Sequence, residues 1–143
     1  MNEKQPTTRE SHETQLVRAF LLPQRQERYL ELLSKPHRRR DVTGQLAHFK
    51  HIDMRWAVAL PKNAHDAAHV LLLLKAKGAP DTCYAISEED DLDGKEVSLA
   101  EALKTIFGRG IGTFLSCLPG RLAYFEDEED RWILERKAKV EAR

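Results

Sequence analysis

Gly112-Thr-Phe-Leu-Ser-Cys-Leu-Pro-Gly-Arg-Leu-Ala-Tyr-Phe125 carries the strongest strand signal in the chain. It is the densest run of β-branched, aromatic and aliphatic residues, bounded by glycine and broken once at Pro119-Gly120. It reads as two strands, Thr113–Leu118 and Arg121–Phe125. Pro-Gly suits a type II turn, which splays strands instead of following their twist, so a bulge or a wider opening is expected at the corner. This pair is the expected centre of a sheet on which helices pack.

Downstream, the acidic turn Glu126–Asp130 leads to a last strand, Arg131–Leu134. Upstream, Ser98-Leu-Ala-Glu101 is a capping box opening a helix that runs to Phe107 and stops at Gly108. Before it lie a strand, Thr82–Ser87, and an acidic loop, Glu88–Lys95, with Asp93-Gly94 as a turn signal. The spacing predicts a helix over Ala64–Lys77, capped by Asn63 and ended by a left-handed Gly78. Its Val70–Leu74 run is apolar nearly all round, which predicts deep burial. Trp56–Leu60 is a short strand closed by Pro61.

The N-terminal part reads as helical. Leu16, Val17, Phe20 and Leu21 carry a short apolar face. A helix over Gln24–Ser34 turns Tyr29, Leu30, Leu32 and Leu33 inward, and Asp41 is placed to cap a helix Val42–Phe49. The expectation is an α+β fold: a mixed sheet of about four to five strands, covered by helices mainly from the N-terminal half. Strand–helix–strand occurs twice, each a potential right-handed crossover between parallel strands. Residues 1–14 are expected as a flexible leader, 15–136 as a single domain and 137–143 as a charged tail.

A chain of 143 residues can bury about 68–70% of its unfolded surface, enough for a core without crosslinks. Residues 1–80 hold 14 Lys/Arg against 8 Asp/Glu, and residues 81–143 hold 9 against 15, so a net +6 faces a net −6. All six histidines lie in the first half. The asymmetry points either to an anionic partner or to packing of one half on the other. No aliphatic run approaches the ~20 residues of a membrane span. The start, Met1–Glu13, lacks the apolar core of a signal peptide. A cytoplasmic protein with no membrane partner is expected, with Cys83 and Cys117 as buried thiols.

His65-Asp-Ala-Ala-His69 is the sharpest chemical signal. Histidines four apart share a helix face and can grip one metal. The pattern looks like His-Glu-x-x-His with aspartate at the glutamate position, and the shorter side chain reaches less far towards a metal-bound water. Zinc needs further donors, for which His48, His51 and Asp53 are available. A metal-dependent hydrolase is one alternative function on this basis.

The basic elbow Lys35-Pro-His-Arg38-Arg39-Arg40, with Lys50 and Arg55 downstream, could follow a phosphate backbone, and Phe49 and Trp56 could stack on bases. RNA or DNA binding is the second alternative. Gly108-Arg-Gly-Ile-Gly112 runs from helix to strand, the wrong polarity for a phosphate loop. Glu89–Gly94 lacks the twelfth-position glutamate of a calcium loop, where Ala100 stands. Ser116-Cys117 could hold a nucleophile, but no histidine is tied to that half. With no complete catalytic set, the leading expectation is a non-catalytic binding or regulatory module acting through protein contacts, with no cofactor.

Overall fold

The computed structural model describes residues 8–136. Its element order is α1 (Thr8–Phe20), α2 (Gln26–Ser34), α3 (Arg40–Thr43), β1 (Ala57–Ala59), α4 (Ala67–Ala76), β2 (Thr82–Ser87), β3 (Lys95–Ser98), α5 (Leu99–Ile106), β4 (Thr113–Leu118), β5 (Leu122–Glu126) and β6 (Arg131–Glu135), with short 3-10 turns between the early elements. The strands form one sheet in the order β1-β6-β5-β4-β2-β3, and every neighbouring pair is antiparallel.

The stretch Thr113–Phe125 does lie at the sheet's centre. β4 and β5 pair with Phe114 opposite Phe125 and Leu115 opposite Tyr124, and the register shifts between Ser116 and Leu118, where the Pro-Gly corner leads one to expect a bulge. Gly120 turns the corner at φ +72°, a conformation that few side chains tolerate.

Side chains alternate across the sheet. Tyr84, Ile86, Phe114, Phe125 and Leu134 face the N-terminal helices, packing with Leu16, Phe20, Tyr29, Leu33, Leu46 and Phe49. Cys83, Ala85, Leu115, Cys117, Tyr124 and Ile133 face α4 and α5, packing with Val70, Leu74, Leu99, Leu103 and Ile106. The sheet is therefore the middle of three layers, with a core on each side. Each fully buried Leu or Phe among these contributes about 1.5–3 kcal/mol.

The α+β class holds, with a sixth strand and no parallel pair. The sixth strand is β3, Lys95-Glu-Val-Ser98, which hairpins back along β2. It is short, charged and at the edge, which is how proteins protect an open edge and why it reads as loop in sequence. It also explains why β2 and β4 are not parallel. The pairings make β3 and β4 point the same way, but β2 lies between them, so the α5 crossover steps over a strand. β1 and β2 also point the same way, with β6, β5 and β4 between them.

Several boundaries move. Helix α1 begins at Thr8, so the expected leader over 1–14 does not extend through residues 8–14; residues 1–7 and the tail 137–143 lie outside the described residues. The helix expected over Val42–Phe49 is a short α3 followed by a 3-10 turn at Leu46–His48, yet Val42, Leu46 and Phe49 are all buried as their spacing requires. Asp41 bonds Arg38 and does not cap that helix. Helix α4 is capped by Asp66, not Asn63, and ends at Ala76, with Gly78 at φ +103°. It is less buried than its run of leucines implies: Val70 and Leu74 are buried, whereas Leu72 is 68% exposed. Among the described residues, the face turned from the sheet meets no other layer.

Candidate functional site

The basic elbow is tied to the acidic half of the chain. Arg39 is buried, and its Nε and Nη2 donate to the two carboxylate oxygens of Asp93 at 2.6 and 3.0 Å. Asp93 also accepts the Ser87 N–H, which fixes the β2–β3 loop. The third nitrogen, Nη1, lies 2.6 Å from Glu13 Oε2, an ion-pair contact without hydrogen-bond alignment. Burial opposes the charge on Arg39, but the hydrogen bond to Asp93 and the charges of Glu13 and Asp93 outweigh it, so its pKa rises.

Arg40 reaches Asp90 at 2.9 Å, Arg38 reaches Asp41 at 2.6 Å, and Lys35 lies 3.8 Å from Glu31. Arg55 clasps Asp53, whose carboxyl is held low by that hydrogen bond, and its guanidinium lies over Trp56. Lys50 is exposed. The residues proposed for phosphate contact are thus spread over two ends of the layer, and most already hold a carboxylate.

A buried polar seam joins α1 to the sheet. His12 Nδ1 is 2.6 Å from Ser116 Oγ, and its ring stacks on Tyr84 with centroids 5.5 Å apart. Tyr84 donates to Glu13 at 2.6 Å. Burial pushes the His12 pKa down, against a smaller upward pull from Glu96. So a histidine is tied to Ser116 after all, and it comes from the stretch read as a leader. Its signal was available: His12 stands four residues before Leu16 and eight before Phe20, on the same helix face. With Ser116 and His12 both buried, this pair fastens α1 to β4.

The histidines do not converge as a set. His51 Nδ1 contacts the Tyr29 hydroxyl at 2.5 Å, and His48 lies 3.3 Å from Glu128. Asp53 is committed to Arg55. None of these three joins His65 and His69. Those two do meet: their rings stack with centroids 5.1 Å apart. Because α4 starts at Ala67, His65 stands just before the helix, so the pair does not lie on one helix as a His-x-x-x-His motif would. Asp66 lies between them and completes the group.

The remaining motifs are structural. Gly108 N–H donates to Glu126 at 2.6 Å and Gly112 N–H to Glu88 at 2.7 Å, so carboxylates of the chain fill the glycine-rich loop. Burial pushes the Glu126 carboxyl up, and Tyr124 donates to it. Cys83 and Cys117 are buried free thiols; burial raises both, Cys117 to about 12.

A groove of about 960 Å³ lies between α1 and α2. Glu10, Thr14 and Arg18 stand on the α1 wall, four residues apart; Glu27, Leu30, Glu31 and Ser34 stand on the α2 wall; Glu13 and Leu33 lie deeper. Arg18 and Glu27 form an exposed ion pair across it at 2.5 Å. Compared with protein-family models, curated proteins and solved structures, the chain matches none.

Proposed function

We propose that the protein is a non-catalytic binding module that takes a basic segment of a partner protein into the α1–α2 groove. The observation that carries this is the lining: among the described residues Glu10, Glu27 and Glu31 stand around Leu30 and Leu33, with Arg18 as the lining cation and Glu13, already held by Tyr84 and Arg39, beneath them. Such a surface favours lysine or arginine alternating with an aliphatic side chain. Charge would steer the encounter and the leucines would seat it.

The existing ion pairs do not close the groove. Exposed pairs such as Arg18–Glu27 contribute about 0–1 kcal/mol, so Glu27 can exchange Arg18 for a partner's cation at little cost. The elbow pairs Arg39–Asp93 and Arg40–Asp90 support reading the charge asymmetry as internal neutralisation. They weigh against a nucleic-acid surface there. Among the described residues no helix is long and apolar enough to cross a membrane, and a cytoplasmic location fits this reading.

The test is binding of a fluorescein-labelled helical peptide with Lys and Leu at i, i+4 spacing, followed by anisotropy. Wild type should bind it in a salt-sensitive manner, and Glu27→Lys/Glu31→Lys should weaken binding roughly tenfold or more. No binding by wild type, or equal binding by the charge-reversed variant, would sink the proposal.

A further inference from the structure

On the far side of the sheet from the groove, His65, Asp66 and His69 each place one donor atom within 4.8 Å of the others. We infer that these three side chains form a binding site for one divalent first-row transition ion such as Zn²⁺, with coordination positions left open to water or to a donor from another molecule.

The local backbone builds the site. Asp66 is the N-cap of α4, extended at φ −149° and ψ 170°, and its Oδ1 accepts the His69 N–H at 2.8 Å. The same oxygen lies 2.6 Å from His69 Nδ1, so the cap also orients the ring. His65, one residue earlier, folds over to stack on it at 30° between planes.

Two imidazoles and one carboxylate are a nitrogen-rich donor set, suited to zinc, nickel or copper and poorly suited to magnesium or calcium, which prefer all-oxygen sets. Tetrahedral coordination at about 2.0 Å needs donors roughly 3.3 Å apart. All three residues are exposed, so their side chains have room to rotate. The Asp66 carboxylate accepts the His69 backbone N–H and sits at the positive end of the helix.

The inference is independent of the groove, and peptide binding is unaffected if it fails. The test is titration of the full chain with Co²⁺, read by visible ligand-field absorption and by displacement with Zn²⁺, beside the histidine ring signals in NMR. One Co²⁺ per chain should bind, and diamagnetic Zn²⁺ in its place should shift the His65 and His69 signals and leave those of His48 and His51 unmoved. Affinity should fall roughly tenfold or more in His65→Ala, in His69→Ala and in Asp66→Asn, where asparagine keeps the cap but loses the charge. His48→Ala should bind as wild type does. Absence of saturable binding at about 1 mM metal, the weakest affinity worth calling a site, would overturn the inference. So would affinity that survives the His65→Ala/His69→Ala double change in a variant with an unchanged melting curve.

Discussion

His12 of α1 and Ser116 of β4, 104 residues apart in sequence, meet at 2.6 Å beneath the N-terminal layer. The contact decides where the first helix lies on the sheet, because Glu13, the next residue, is held at the same place by Tyr84 and Arg39. His12→Ala leaves the Ser116 hydroxyl without this partner and removes the stack on Tyr84. The expected cost is about 2–4 kcal/mol, measured by urea denaturation, with Ser116→Ala costing about 1–3 kcal/mol.

The same histidine makes stability depend on pH. In the fold its pKa lies below the ordinary value, so the unfolded chain takes up the proton more readily. Its contribution is complete above about pH 6.5 and is lost progressively as pH falls through that value towards the folded pKa. His51, lowered by burial and by Arg25, acts in the same direction. The denaturation midpoint should therefore drop between about pH 8 and about pH 5. The drop should be smaller in a His12→Gln/His51→Gln variant, and an equal drop in the two proteins would contradict the assignment.

Arg39 separates a structural elbow from a binding elbow. Removing one partner of a buried ion pair costs about 3–5 kcal/mol, and Arg39→Ala is expected in that range. Arg38→Ala and Arg40→Ala break exposed pairs and should each cost at most about 1 kcal/mol. Thermal melts of the three single variants provide the comparison.

Gly112 passes against the backbone of Leu46 and Ala47, where a Cβ would overlap main-chain atoms that cannot rotate away. Gly112→Ala should destabilise by about 3 kcal/mol, the upper end of overpacking costs, because the clash is with backbone. A melt within about 0.5 kcal/mol of wild type, the spread of ordinary surface changes, would mean that the loop and the Leu46 turn are not in contact.

What could be read from sequence was what depends on local pattern. Thr82–Ser87 and Thr113–Leu118 come out with their expected bounds, and Ser98 accepts from the Glu101 N–H, the serine half of the expected capping box, while the Glu101 carboxylate pairs with Lys104. What could not be read depends on long-range pairing. Lys95–Ser98 becomes a strand only because β2 offers an edge, and without it β2 and β4 look parallel across α5. Asp93 is a turn residue locally; only the fold brings Arg39 to it across 54 positions. His12 could have been placed by extending the Leu16–Phe20 face back one turn, but its polar neighbours hid the period. The metal group was half legible: His65 and His69 stand out by spacing, whereas the role of Asp66 follows from its being the cap.

The most direct measurement for the central claim is anisotropy of the Lys/Leu peptide with wild type, with the Glu27→Lys/Glu31→Lys variant and with an acidic peptide of matched length as control. Both glutamates are exposed and their pairs with Arg18, Arg28 and Lys35 are surface pairs, so the variant should lose at most about 2 kcal/mol and stay folded, which its melting curve checks. A groove that takes a basic partner predicts saturable, salt-sensitive binding of the basic peptide to wild type alone, and none of the acidic one. Equal affinity of wild type and variant for the basic peptide, or no binding at all, would contradict it.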